Sequence, residues 1–151
     1  MIWKPNVTVA AVVEKDGKYL LVEEQTSSGI LFNQPAGHLE PGESIIHAAI
    51  RETLEETGYT FAPQSVLGIY HWHSRVENTT FIRFAFSGSV VHHDPRRPLD
   101  TGIVRAGWFG LDEIRQMVYC HRSPLVMRCI EDDQAGKRYP LDILAHFDSN
   151  A

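Results

Sequence analysis

The chain lacks the features of disulfide-bonded and membrane-spanning proteins. Its 151 residues include only two cysteines, Cys120 and Cys129, which indicate neither a disulfide framework nor a zinc site. No apolar run reaches the roughly 20 residues that a membrane helix needs, and residues 1–6 lack the apolar core of a signal peptide. These absences favour a reduced, cytoplasmic setting without a membrane partner.

Positive charge is also scarce. The 14 Lys and Arg residues are outnumbered by 19 Asp and Glu residues, which gives a formal net charge of −5. Because nucleic-acid binding requires a basic surface, we expect no nucleic-acid partner, and a bound polyphosphate would need local positive charge or a metal. The length suits a single domain over residues 1–151, and we expect a monomer or a homodimer.

Hydrophobic patterning predicts strands and helices that alternate along the chain. An Asp-Gly turn between Val7–Val13 and Tyr19–Val22 predicts an antiparallel hairpin. Strands mixed with helices in this way indicate a layered α/β or α+β domain. Further strands are predicted at Leu31–Pro35, Val66–His73, Thr80–Val91 and Val104–Gly110. Helices are predicted at Ser44–Thr57, Leu111–Val118 and Ser123–Gln134, the last with Ser123 as N-cap and Pro124 as first helical residue. Loops are predicted at Gly37–Gly42 and His92–Gly102.

The helix at Ser44–Thr57 has an unusual charge pattern. Glu52, Glu55 and Glu56 lie in its last turns, where acids are disfavoured by roughly 0.3–1 kcal/mol each. At about 100° per residue the three acids share one side of the helix, and the aliphatic residues on the opposite side are expected to pack on the core. Divalent cations with oxygen ligands would offset the repulsion, so the pattern indicates a metal site.

The acids belong to a longer motif. From Gly37 to Gly58 the sequence follows the spacing Gly-x5-Glu-x7-Arg-Glu-x2-Glu-Glu-x-Gly, which resembles the signature of the Nudix hydrolases. One position departs from the family pattern, because Thr53 stands where an aliphatic residue is usual. The alternative is an acidic helix that merely faces solvent, but the length of the motif and its matching loop favour the resemblance.

The resemblance implies a fold, a cofactor and a set of site residues. The fold is an α/β/α sandwich with a mixed β-sheet, and the cofactor is a divalent metal, Mg²⁺ with Mn²⁺ as a possible substitute. Arg51 would orient a catalytic glutamate and pair with Glu43, so that both support the site without binding the metal. The implied metal ligands are the backbone carbonyl of Ala36 and the carboxylates of Glu52, Glu55 and Glu56.

The general base is left open by the motif. In the family this role falls to a helix glutamate or to an acid on a distant loop, and among the helix acids Glu55 is favoured here. Asp100, in the loop His92–Gly102, is the second candidate. Its position beside Thr101 and Gly102 is also typical of a turn-forming aspartate, which is the preferred interpretation.

Four residues are candidates for contact with a substrate. Arg83 lies on a partly apolar strand and is either a phosphate clamp or the partner of an internal acid. Trp72 could stack on a flat substrate ring, although core packing is more common for a strand Trp. Arg122 precedes a helix N-terminus, where anions bind, or simply accompanies a helix cap. His38 could touch the substrate or close the loop.

Fragments outside the motif resemble the bacterial NudJ-type phosphatase branch of the family over Val7–Phe147. This resemblance implies hydrolysis of phosphoanhydride bonds in nucleoside tri- and diphosphates and in small pyrophosphates of the thiamine pathway, such as hydroxymethylpyrimidine pyrophosphate and thiamine pyrophosphate, by attack of water on phosphorus. The fragments are Gln34–His38, Arg83, Arg122–Leu125 and Arg138–Leu141.

Two other functions remain open from the sequence. The substrate could be another diphosphate, such as ADP-ribose, a dinucleoside polyphosphate or an RNA 5′ end, the last of which the acidic charge disfavours. Alternatively, the chain could be a nucleotide sensor that binds without hydrolysis. Such domains often lose acids of the motif, whereas Glu52, Glu55 and Glu56 are all present here.

Overall fold

The computed structural model describes residues 1–148, which form seven strands and three α-helices. None of the helices in this part of the chain is long and apolar enough to cross a membrane. The strands are β1 (Asn6–Lys15), β2 (Lys18–Thr26), β3 (Gly29–Asn33), β4 (Ala36–His38), β5 (Tyr59–Ser74), β6 (Thr79–His93) and β7 (Ile103–Gly110). The helices are α1 (Ile45–Thr57), α2 (Leu111–Gln116) and α3 (Leu125–Gln134), and short 3₁₀ turns lie at Val118–Cys120 and Leu141–Ile143.

Strand β1 organises a mixed sheet. It pairs in parallel with β6 and antiparallel with β4 and β2. Strand β2 also pairs antiparallel with β3 and β7, and β6 pairs antiparallel with β5. The hairpin predicted between the first two strands is confirmed. The main path through the sheet is β3-β2-β1-β6-β5.

Helices cover both faces of the sheet. Odd-numbered residues of β1 such as Val9 pack in one cluster with Ala49 of α1. The even-numbered residue Ala10 points to the other face and packs in a second cluster with Ile114 of α2 and Ile130 of α3. Because side chains alternate between the faces of a strand, one apolar strand supports both layers. The predicted α/β/α sandwich with a mixed sheet is therefore confirmed.

Helix α1 begins and ends as its sequence predicts. Ser44 is the N-cap, and its hydroxyl accepts the backbone N–H of His47 at 3.0 Å. Gly58 has a left-handed backbone with φ 76°, and its N–H donates to the carbonyl of Leu54. The unusual Thr53 is fully buried, and its hydroxyl donates to the carbonyl of Ala49 at 2.7 Å. The helix thus satisfies this hydroxyl internally.

Helix α1 contacts the protein on two sides. The side opposite the acids packs on the core as expected, since Ile46 and Ile50 lie, partly buried, against the cluster that contains Val9 and Ala49. The acidic side is also covered, since Glu52 and Glu56 are only 9% and 8% exposed. The reason is that α1 packs against β4 as well as β1 and β5, so the side that carries the acids lies over β4.

Several element boundaries also differ from expectation. The predicted loop at Gly37–Gly42 begins inside β4, because pairing with β1 makes a strand of residues with little β-propensity. Strand β5 begins at Tyr59 rather than Val66, and irregular register around Pro63 hides its first half. Helix α3 begins one residue later than expected, after Pro124. The other predicted elements are found with shifted ends.

Candidate active site

Three carboxylates meet at the end of α1. Ligand oxygens of Glu52, Glu55 and Asp100 all lie within 4.8 Å of one another. The loop between β6 and β7 brings Asp100 there, since its backbone N–H donates to the carbonyl of Glu55 at 3.0 Å. The Asp100 carbonyl also accepts the N–H of Ile103 at 3.0 Å. Asp100 therefore forms the expected turn, and this turn also places its carboxylate in the acidic group.

Glu56 lies outside this group of three and is held by β4. Its Oε1 accepts the backbone N–H of Ala36 at 2.9 Å. Burial raises the pKa of Glu56 to about 9, and the charges of Glu52, Glu24 and Asp100 act in the same direction. Burial likewise raises the pKa of Glu52 to about 7. Without a bound cation, burial therefore destabilises the ionised forms of Glu52 and Glu56.

Strand register determines where the backbone of Ala36 points. The N–H of Ala11 donates to the carbonyl of Pro35 at 2.9 Å. The next residue, Ala36, therefore occupies a non-hydrogen-bonded position opposite β1. Both its N–H and its carbonyl point away from β1, and the N–H reaches Glu56. The Ala36 carbonyl thus faces the same side of β4 as the buried glutamates.

Gly37 lets the helix approach β4 closely. A Cβ atom at this position would lie 2.1 Å from Cδ of Glu52 and 2.3 Å from both of its carboxylate oxygens. Real Cβ atoms do not come so close to another heavy atom. The absence of a side chain at Gly37 is therefore what allows the Glu52 carboxylate to rest against the strand.

Arg51 connects the acids of the motif. Its Nε and Nη2 bind the two carboxylate oxygens of Glu43 at 2.9 and 2.7 Å. Its Nη1 donates to Glu52 at 2.8 Å and to Glu55 at 3.1 Å. The hydrogen bonds from Arg51 lower the pKa of Glu43 to about 2, and those to Glu43 raise the pKa of Arg51. One guanidinium thus fixes the rotamers of three carboxylates.

Arg83 is a buried cation with neutral partners. It is 5% exposed, and its guanidinium donates to the side-chain oxygens of Gln34 and Asn33, both at 3.0 Å. Gln34 is fixed in turn, because its Nε2 donates to the carbonyl of Val126 at 2.8 Å. No carboxylate among the described residues forms an ion pair with Arg83, so the alternative of an internal acid partner is wrong.

A cavity of about 320 Å³ contacts both the buried glutamates of α1 and the buried Arg83. Glu52 and Glu56 line it together with Arg83, Arg122, Trp72 and His38, whereas Arg51, Glu43 and Glu55 are not part of the lining. The ring of Trp72 stacks on Phe81 with a centroid distance of 5.6 Å. Arg122 contacts Glu77 at 2.6 Å, and Nε2 of His38 lies 3.4 Å from Nδ2 of Asn6.

Sequence reasoning missed polar residues in and next to this cavity. Asn33 and Glu24 line it, and Gln34, outside the lining, accepts a hydrogen bond from Arg83. A register shift between Glu23 and Glu24 breaks the alternation of β2, and such irregularities redirect side chains. Alternation alone therefore could not place Glu24, while Gln34 was visible only as part of a sequence fragment without a role.

Comparison with known proteins agrees with this geometry. The NUDIX domain family model matches residues 3–128. Phosphatase NudJ of Escherichia coli strain K12 is 42% identical over 146 residues, which cover 97% of this chain and 94% of that protein; Phosphatase NudJ of Shigella flexneri gives the same values. The structure of a NUDIX hydrolase from Nitrosomonas europaea superposes with a TM-score of 0.95 at 65% identity, covering 97% of this chain and 99% of that one.

A more distant structure shares the fold alone. The NUDIX domain of Shewanella oneidensis NrtR, solved with ADP ribose, has a TM-score of 0.73 at 17% identity and covers 89% of this chain and 90% of that chain. The chain belongs to the Nudix family and is a Nudix hydrolase. Enzymes of this family generally use a divalent metal and act on small nucleotide or pyrophosphate substrates, and the acidic group at the end of α1 could hold such a metal.

We expect Gly37→Ala to disrupt the acidic site without unfolding the chain. The new methyl group would displace Glu52 from the strand, so that affinity for Mn²⁺ falls on the order of 10–100-fold, as for other residues that position metal ligands. Titration of Mn²⁺ followed by electron paramagnetic resonance measures this affinity. Gly110→Ala is the matched control, because the nearest atom to its Cβ is 3.5 Å away. Equal affinities in the two variants would contradict the role of Gly37.

Proposed function

We propose that the chain hydrolyses phosphoanhydride bonds in nucleoside tri- and diphosphates and related small pyrophosphates, with Mg²⁺ as cofactor and Mn²⁺ as a substitute. The observation that carries the proposal is the pairing of opposite charges in one cavity: buried carboxylates on α1 and the buried cation Arg83, which has no carboxylate partner among the described residues. The resemblance to Phosphatase NudJ supports the same choice over ADP-ribose.

The donor set fits a hard dication. Every candidate ligand is an oxygen atom, and the burial that raises the pKa of Glu52 and Glu56 would be compensated by a bound cation. We assign the metal to the carboxylates of Glu52, Glu55 and Glu56 and to the Ala36 carbonyl. When bound, Mg²⁺ supplies charge neutralisation for phosphate oxygens and a lowered pKa for a coordinated water.

The protein supplies orientation and a proton acceptor. Arg51 holds Glu52 and Glu55 in place through Nη1, and Glu43 anchors Arg51 from the other side. Glu55 is the proposed acceptor of the proton from the attacking water. Asp100 lies in the same group of oxygens and, unlike Glu55, has no ion pair to Arg51, so it is the second candidate for that role.

Arg83 is the proposed phosphate ligand. Two amide oxygens hold its guanidinium but do not neutralise it, and the group borders the same cavity as Glu52 and Glu56. A charged group that is buried without a counter-ion is costly, and an anionic substrate would remove that cost. Arg122, Trp72 and His38 line the cavity as further proposed contacts with the substrate.

A phosphate-release screen tests the proposal directly. The purified chain is incubated with nucleoside tri- and diphosphates, thiamine-pathway pyrophosphates and ADP-ribose, with and without Mg²⁺, and products are separated by chromatography. We expect metal-dependent release of single phosphates from the first two groups. If AMP and ribose phosphate from ADP-ribose were the main products, the alternative of a pyrophosphatase for ADP-ribose would be favoured. Binding without any product would favour a nucleotide sensor.

We expect Glu56→Gln to lower turnover by two or more orders of magnitude while the fold remains intact. The amide keeps an oxygen that can accept the N–H of Ala36 but cannot bind metal as a carboxylate does. The metal-free variant should be at least as stable to urea as the parent, because a neutral group replaces one whose charge is disfavoured by burial. An unchanged rate at saturating Mg²⁺ would count against the metal assignment.

We expect Arg83→Gln to weaken substrate binding. Loss of a hydrogen bond to a charged group costs about 1.5–3 kcal/mol, so kcat/KM for a nucleoside diphosphate should fall roughly 10–150-fold, with Mn²⁺ affinity retained. Arg115→Gln is the matched control, because Arg115 is an exposed helix residue whose ion pair with Asp112 is 3.7 Å long. If both variants kept the parental kcat/KM, Arg83 would not be a phosphate ligand.

A further inference from the structure

A second cavity, of about 590 Å³, adjoins the first. Trp72, Arg122 and Ser123 line both cavities, so the two meet at these residues. Hydroxyl side chains of the β2–β3 turn and aliphatic side chains, including Leu31 and Val118, form much of the second cavity. It carries neither the metal-ligand candidates nor Arg83, which distinguishes it chemically from the first.

An exposed ion pair stands where the two cavities meet. Nη2 of Arg122 contacts Oε1 of Glu77 at 2.6 Å, and Glu77 lines the second cavity only. The two side chains are 31% and 34% exposed, and ion pairs at such exposure contribute little stability. The main chain of Arg122 is fixed, because its N–H donates to the carbonyl of Phe32 at 2.7 Å. The Arg122 side chain can therefore exchange partners without movement of the backbone.

We propose that the second cavity binds the organic group of the substrate, and that this group is a planar heterocycle bearing N–H donors. The inference rests on the proposed function, which places the phosphates in the first cavity. In this arrangement Arg122 turns from Glu77 to the phosphate. The freed Glu77 carboxylate then accepts hydrogen bonds from the heterocycle, so that one exchange couples recognition of the two halves of the substrate.

The chemistry of the lining selects this occupant. Trp72 and the aliphatic residues Leu31 and Met127 suit the faces of a flat ring. Glu77 disfavours a second anionic group there, because like charges repel. A substrate with phosphate alone, such as inorganic tripolyphosphate, would fill the first cavity and leave the second without a ligand.

The first test blocks the second cavity with a bulky side chain. Val118 is 49% exposed, so Val118→Trp adds volume with little risk to the fold. We expect KM for adenosine 5′-diphosphate to rise at least tenfold, while KM for inorganic tripolyphosphate changes less than twofold. Val91→Trp is the matched control, because Val91 is 67% exposed and lines neither cavity. Equal changes for both substrates, or none for either, would overturn the proposal.

The second test examines the carboxylate. Glu77→Gln should reduce at least fivefold the preference for adenosine 5′-diphosphate over purine riboside 5′-diphosphate, which lacks the 6-amino group. If Glu77 served only to hold Arg122, the variant would alter KM for tripolyphosphate as strongly as for both nucleotides. An unchanged preference between the two nucleotides would therefore remove Glu77 from ring recognition.

A binding measurement separates this inference from the proposed function. Adenosine 5′-diphosphate is titrated into the protein without metal, and the indole N–H signal of Trp72, assigned with Trp72→Phe, is followed by NMR. We expect a shift in the parent that is lost in Val118→Trp. Hydrolysis of tripolyphosphate without any such shift would overturn only the second-cavity proposal. A shift that Val118→Trp abolishes, without hydrolysis of any anhydride, would retain the second cavity as a binding site and overturn the proposed reaction.

Discussion

The site depends on the burial of the acidic side of α1 against β4. Glu56 reaches the backbone of Ala36, and Glu52 lies where any side chain at Gly37 would collide with it. Acids in the last turn of an isolated helix are most stable when exposed to water, which weakens two unfavourable interactions: repulsion by the helix dipole and repulsion between the acids themselves. Here burial raises the pKa of both Glu52 and Glu56, so the packing of one helix on one short strand determines the electrostatics of these two carboxylates.

The two arginines next to the acids, Arg51 and Arg83, differ in how far their positive charge is neutralised. Arg51 is saturated by Glu43, Glu52 and Glu55 and serves the architecture of the acids. Arg83 donates to two amide oxygens and to the sulfur of Cys129, so that its partners are neutral. The difference follows from where the two arginines lie. Arg51 shares α1 with Glu52 and Glu55, whereas Arg83 lies on β6 and contacts Asn33 at the end of β3. Two arginines of one site thus have different electrostatic surroundings.

Much of the fold could be predicted from sequence, because the continuous apolar run of β1 and the caps of α1 are local signals. The mixed sheet and the sandwich follow from these elements and from the motif. Strand β4 could not be predicted, since Ala36–His38 becomes a strand only by pairing with β1. Periodicity placed the acids of α1 opposite the residues that pack on the core, but it did not contain the burial of Glu52 and Glu56, which follows from the contact of α1 with β4.

The same limit applies to the site. Spacing identified Glu52, Glu55 and Glu56, but the neighbours that decide their chemistry come from distant segments. Asp100 reaches the group because its N–H donates to the carbonyl of Glu55, a contact between main chains that no side-chain pattern encodes. Gln34 matters to Arg83 only because Val126 fixes its amide. A motif therefore specifies which charged groups gather at one place, while the contacts between segments determine which of these charges are neutralised within the protein.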